Sequence, residues 1–349
     1  MRVAPPVAAV ALSLLIAAPA LAAQSTVSLA FRDSLPSWLA ATHVPGIAVA
    51  VIENGKVTTT LTSGELRPGI PMSRRALFNV ASLTKPVVAI TTLRLANAGK
   101  LSLDEPLDPD WIDPDVRNDP RHSKLTARLV LTHQTGFPNW RRLMPDHKLG
   151  FLSDPGTKFG YSGEGLEYLR HALEHEFGRS LQQLSDSILF TPLGMTATTY
   201  GWNSTQDTLR FAVGHDTIGA MIHEPLRPMS QPSGADWLVT TIGDYSRFGE
   251  FVLSGAGLSP ALFADMTSPH AQFEGKPNEA MGLGWEVMKG PAGDPTILMH
   301  TGSDAGIKTM ILLLPASRRG IVIFTNGERG MEVIVHILHS ALQMKELGS

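Results

Sequence analysis

The chain has 349 residues, 43% of them hydrophobic, with no cysteine and a formal net charge of −3. That length supports one large domain or two intimate subdomains around a substantial core. The missing cysteines exclude disulfides, zinc thiolate sites and a cysteine nucleophile, and the small net charge offers no electrostatic footprint for nucleic acid.

Met1 to Ala23 carries one basic residue, Arg2, a mostly apolar stretch from Val7 to Ala18, a helix-breaking Pro19 and the small-residue run Ala20-Leu21-Ala22-Ala23. This is the pattern of a secretory signal peptide. The apolar stretch is shorter than the ~20 residues a membrane-spanning helix needs. The expected localisation is secreted or periplasmic, with 24–349 as the working domain, no membrane association after cleavage, and a small-molecule or peptide substrate as the partner. Oligomeric state is left open.

Ile47 to Ile52 is a β-branched apolar run, followed by Asn54-Gly55 and the alternating Val57 to Thr62. This predicts a β-hairpin. Helical patterns follow over Val87 to Ala98, Leu125 to Thr132, Leu166 to Phe177, Leu181 to Leu189 and Asp244 to Leu253. Between the first two lies Pro106 to Pro120, with five Asp and four Pro. It reads as a surface-covering loop, because its acids lack the spacing and glycine of a calcium loop. Thr309 to Leu314 and Ile321 to Thr325 flank a turn and predict a second strand pair. Ile334, Leu338, Ala341 and Leu342 mark one face of a terminal helix. Strands at both ends with helices between predict an α+β fold. Its antiparallel sheet is built from N- and C-terminal strands flanked by helices, with a mostly helical insert. The sheet subdomain covers about 24–75 and 280–349, the helical subdomain about 76–279.

Ser82-Leu83-Thr84-Lys85 is the only Ser-x-x-Lys in the chain. If Ser82 opens the helix, its hydroxyl and the Lys85 amine share one face, where the amine can take the hydroxyl proton. Tyr161, in Phe159-Gly160-Tyr161-Ser162-Gly163, sits at a loop-to-helix junction, a common catalytic position. His300-Thr301-Gly302 follows an apolar strand pattern, and a glycine at a strand edge lets a ligand backbone approach. Two competing motifs are weaker. Gly160 to Glu164 misses the nucleophile elbow at its last position, so Ser162 is not the expected nucleophile. His171 to His175 matches an inverted zinc motif, but both histidines lie opposite the Leu166, Leu169, Leu173 and Phe177 face, towards solvent. His336 and His339 are read the same way.

Ser82 to Lys85, Tyr161-Ser162 and His300-Thr301-Gly302, in this order, resemble the serine hydrolases related to class C β-lactamases and D-alanyl-D-alanine carboxypeptidases. Related enzymes carry S-x-x-K, S-D-N and K-T-G motifs. Further landmarks are Leu131 to Pro138, Pro192 to Met195, Gly282 to Trp285 and Ile321 to Gly327, so the resemblance covers roughly residues 30 to 345. It implies a β-lactamase/transpeptidase-like fold, Ser82 as nucleophile, and Lys85 or Tyr161 as proton acceptor. It also implies that His300 stands in the third motif beside Thr301 and Gly302, that the backbone N–H groups of Ser82 and Ser303 form an oxyanion hole, and that neither cofactor nor metal is needed. An amine near pKa 10.4 and a phenol near about 10 are both poor bases at pH 7 unless a site shifts them, so which one serves stays open.

Two positions depart from the family pattern. Gly163 stands where an asparagine is usual, removing a carboxamide that would orient the lysine and an acyl-amide. Glu164 next to it reads as serving the helix macrodipole. His300 stands where class C β-lactamases carry lysine, and a mostly neutral imidazole attracts a substrate carboxylate less. The implied function is a secreted serine hydrolase cleaving an ester or amide through an acyl-serine, esterase-like or D-peptidase-like. The alternatives are a β-lactamase, a D-alanyl carboxypeptidase or a slowly turning-over penicillin-binding sensor.

Overall fold

The computed structural model describes residues 28–342 apart from 204, 224–225, 231 and 292, so the signal-peptide segment Met1 to Ala23 lies outside the described residues. In chain order the strands are β1 (Gly46–Glu53), β2 (Lys56–Arg67), β3 (Ile70–Pro71), β4 (Phe78–Asn79), β5 (Thr199–Tyr200), β6 (Leu238–Thr240), β7 (Ala271–Gln272), β8 (Glu279–Met281), β9 (Glu286–Lys289), β10 (Thr296–Asp304), β11 (Ile307–Leu314) and β12 (Arg319–Thr325). Nine of them form one sheet in the order β3-β2-β1-β12-β11-β10-β9-β8-β7, and β4-β6-β5 form a small separate one. The pairing of β1 with β12 is antiparallel, Ile47 opposite Thr325, and it joins the two ends of the chain as expected. The predicted hairpin turns through Asn54 and Gly55, both at positive φ, as an Asn-Gly turn requires.

The helices are α1 (Leu35–Thr42), α2 (Thr84–Asn97), α3 (Ala127–Leu131), α4 (Gly163–Phe177), α5 (Leu181–Ser185), α6 (Thr191–Leu193), α7 (Ile242–Leu253), α8 (Pro260–Met266) and α9 (Gly330–Leu342). The continuous helix expected to Leu189 is instead α5 followed by a π-helical turn over Asp186–Phe190. Strand parity sorts the core. Ile47, Val49, Val51, Ile321 and Ile323 pack with Leu35 and Leu39 of α1 and Ile334 and Leu338 of α9. Ala48, Ala50, Ile52, Val322 and Phe324 face the other way, into the helical insert with Val87, Ile90, Tyr245 and Phe248. Both faces of the central strands are therefore covered, which is why β1 and β12 read as unbroken apolar runs. α2 is buried on almost every side. It is the central pillar of the insert, and the turn Ala81–Leu83 just ahead of it lies against β10. Among the described residues no helix is long and apolar enough to cross a membrane.

Candidate active site

Ser82 lies in a 3₁₀ turn, Ala81–Leu83, directly ahead of α2 and not inside the α-helix. The turn is held in an unusual shape: Ala81 has φ +49°. A left-handed conformation at a non-glycine residue costs roughly 1–2 kcal/mol and persists only where neighbours impose it. Here they do. The Ala81 N–H donates to Asn79 Oδ1 at 2.9 Å, and Asn79 Nδ2 donates to Asp304 Oδ2 at 2.8 Å. Thr309 Oγ1 donates to Val80 O at 2.9 Å, and the Tyr245 hydroxyl donates to Leu83 O at 2.7 Å. The serine is thus half-exposed on a clamped turn.

Three of the expected site side chains meet there. Lys85 Nζ donates to Ser82 Oγ at 2.9 Å and to Ala235 O at 2.8 Å. The same Nζ stands 4.8 Å from the centre of the Tyr161 ring, and Lys85 is only 1% exposed. Tyr161 in turn packs on His133, ring centres 4.4 Å apart. The Ser162 N–H donates to His133 Nδ1 at 3.1 Å, so that imidazole carries its proton on Nε2. Burial, reinforced by Lys85 and His300, holds His133 well below the usual histidine range.

His300 lies on β10 with its ring 6.4 Å from that of Tyr161. It is 1% exposed. Its Nδ1 donates to Thr301 O at 2.8 Å, which fixes the proton there. Nε2 is left as a buried lone pair without a hydrogen-bond partner. Burial, then the Lys85 ammonium, push this imidazole down to about 3. It is neutral at any working pH, a stronger departure from a lysine than the sequence implied.

β9 pairs with β10 only as far as Met299. From His300 to Asp304 that edge of β10 is unpaired, and Ser303 is exposed. Gly302 serves a purpose other than the expected one. A Cβ there would lie 2.4 Å from Val80 O and 2.2 Å from Thr309 Oγ1. The glycine admits the chain's own serine-bearing turn, not a ligand backbone.

The second motif is also rebuilt. Ser162 is buried, caps α4 by accepting from Gly165 N at 3.0 Å and donates to Pro138 O at 2.8 Å, so it has no free hydroxyl. Glu164 is not a solvated dipole partner. It is 5% exposed and is bound by Arg141 through the backbone N–H at 2.8 Å and Nε at 2.9 Å. Arg141 also grips Asp113 at 2.7 Å and Asp115 at 3.0 Å, so the Pro106–Pro120 loop is anchored inward instead of merely covering the surface. His171 is likewise not in solvent. It stacks on Trp111 with ring centres 4.6 Å apart, and burial lowers its proton affinity. Among the described residues no group of His, Asp or Glu side chains is arranged to hold a metal ion.

The sequence reading missed three residues beside the expected motifs: His133 against Tyr161, Trp140 against Gly163, and Asp236 next to Ala235. Trp140 fills the space in front of Gly163, and Asp236 follows the carbonyl that receives Lys85. Burial and the neighbouring Asp304 push Asp236 up to about 6. His133 stood inside a quoted landmark, but nothing local marked the other two. A cavity of about 380 Å³ is lined by Arg67, Asn79, Phe211, Trp237 and Ile307, and none of Ser82, Lys85, Tyr161 or His300 borders it.

Residues 31–343 match the family model described as Beta-lactamase. Protein flp of Staphylococcus aureus (strain MRSA252) is 22% identical over 308 residues, 81% of this chain but 60% of flp, so the chain spans little more than half the length of that relative. The D-alanyl-D-alanine-carboxypeptidase/endopeptidase AmpH of Escherichia coli (strain K12) is 25% identical over 311 residues, 80% of this chain and 78% of AmpH. A solved class C beta-lactamase superposes with a TM-score of 0.75 at 21% identity, over 91% of this chain and 96% of that one, a likeness of fold.

Proposed function

Because the chain belongs to the beta-lactamase family of serine hydrolases, we propose that it is a secreted enzyme cleaving an ester or amide through an acyl-serine intermediate on Ser82. The observation that carries this reading is the 2.9 Å contact between Lys85 Nζ and Ser82 Oγ. With its amine neutral, Lys85 reverses that hydrogen bond and accepts the hydroxyl proton as Oγ bonds to the acyl carbon. The developing oxyanion falls to the backbone N–H groups of Ser82 and Ser303, one on the clamped turn and one on the unpaired edge of β10. As the intermediate collapses, the bond to the leaving group breaks and Lys85 returns the proton to it. Water then attacks the acyl-serine, with Lys85 or Tyr161 taking its proton. The substrate lies along the unpaired edge of β10 from Thr301 to Ser303, where Gly302 itself faces the serine-bearing turn. Secretion rests on the Met1 to Ala23 pattern.

Within this chemistry the site favours esters over β-lactams. A β-lactam's carboxylate finds a neutral imidazole at His300, and its acyl-amide finds no side chain at Gly163. A simple ester needs neither contact. A D-alanyl carboxypeptidase reading meets the same obstacle, because a peptide's terminal carboxylate also asks for a cation.

The test is a fluorophosphonate probe on native and Ser82→Ala protein, with turnover of p-nitrophenyl acetate and a chromogenic cephalosporin. Labelling and turnover should vanish together in the variant while the fold persists. The ester should exceed the cephalosporin in kcat/KM by about 10-fold or more, the scale of one lost polar contact. Labelling at another serine defeats the assignment, and faster cephalosporin turnover defeats the substrate reading. A burst of product without steady turnover supports the penicillin-binding sensor.

A further inference from the structure

The cavity of about 380 Å³ that Asn79 borders has the size and lining of a small-molecule site. Phe211, Met221, Trp237 and Ile307 give it apolar walls. Phe211 belongs with Leu77 and Val239 to a small hydrophobic cluster apart from the two main cores, and Trp237 packs on that cluster. Trp237 holds φ +64°, a conformation a bulky residue rarely adopts, and strain of this kind gathers at ligand clamps.

The charge in this cavity has one sign. Its titratable lining residues are Arg67 and His223, and no carboxylate lines it among the described residues. Arg67 is half-buried and forms no ion pair among the described residues. Its Nη2 donates to Thr208 O at 2.6 Å and to Phe211 O at 2.8 Å, and both of those residues line the cavity. Nη1 donates to no described residue, and Nε is buried without a partner. Arg128, Arg141 and Arg170, by contrast, each grip two or more carboxylates. A guanidinium held by two carbonyls with donors to spare is preorganised for a planar carboxylate. The apolar walls beside it favour an acid with a hydrocarbon body over a bare inorganic anion.

We propose that this cavity is a binding site, separate from the Ser82 cleft, for a small amphipathic carboxylate whose head meets Arg67 and whose apolar body lies against Phe211 and Trp237. Nothing in this depends on the chemistry of Ser82.

The test is calorimetric titration of native protein with octanoate and with octanamide, which keeps the tail and loses the charge. Octanoate should bind about 10-fold tighter or more, the scale of one charge-assisted contact. Arg67→Gln should bring the two ligands to equal affinity. Met221→Trp, at a position 37% exposed, should fill the cavity and weaken both ligands by about 10-fold or more. Arg67→Gln also loses bonds to Thr208 and Phe211, so thermal unfolding accompanies each titration, and Met221→Trp decides the matter if the glutamine variant does not fold. Equal affinity of native protein for the acid and the amide overturns the proposal, as does the absence of saturable binding. Octanoate binding that Met221→Trp leaves unchanged also overturns it, because the acid then sits elsewhere on the protein.

Discussion

The indole of Trp140 stands where a side chain at position 163 would be: a Cβ built on Gly163 meets Trp140 Cη2 and Cζ2, each at 2.7 Å. The glycine and the tryptophan are one device, a planar apolar wall in place of a carboxamide. The two positions should therefore be strongly coupled. Gly163→Asn alone should cost about 1–3 kcal/mol, as overpacking does, and in a Trp140→Ala background that cost should largely disappear. Chemical denaturation of both single variants and the double variant gives the coupling directly. Additive costs would show that the contact is irrelevant.

Lys85 should be indispensable as an amine and not merely as a charge. Lys85→Ala should lower kcat/KM for an aryl ester by about 10²-fold or more. Lys85→Arg should fail as well, because a guanidinium stays protonated and cannot accept the Ser82 proton. An arginine variant with most of its activity would leave lysine a purely electrostatic role.

His300 should make the fold sensitive to acid. Folded, its proton affinity is pressed down to about 3, while unfolded it takes a proton near about 6.5. Between those values the unfolded chain binds a proton that the folded chain refuses, so stability is full above the unfolded value and declines as pH falls. Relative to His300→Gln, native protein should lose up to about 3 kcal/mol between pH 7 and pH 4. Urea denaturation at both pH values measures this, and an unchanged difference would mean that the imidazole charges within the fold.

Arg141 should matter more for stability than Arg329. Its removal strands Asp113 and Glu164, which are 6% and 5% exposed. Arg141→Ala should cost about 3–5 kcal/mol, the scale for an abandoned buried charge. Arg329→Ala, which breaks only the exposed pair with Glu332, should cost less than about 1 kcal/mol. Similar small losses for both would show that the cluster is solvated.

The sequence determined whatever is local or periodic. The Asn54-Gly55 hairpin, the apolar strands at both ends, the α4 and α9 faces, and the Ser82–Lys85 pair all follow from spacings of two, three or four residues. Such spacings fix which side chains share a face before any tertiary contact forms. The family motifs extended this to Tyr161 and His300. The tertiary structure alone decided the rest. Trp140 against Gly163, Asp236 beyond Lys85, and Arg141 clamped by Asp113 and Glu164 join segments with no shared periodicity, so no local pattern announces them. The state of His300 is of the same kind. An imidazole in a sequence is an acid, a base or a ligand, and only burial beside Lys85, with Nδ1 tied to Thr301 O, makes this one a neutral acceptor. Proton affinity and shape at a site are set by what packs around a group, and that is a property of the folded chain.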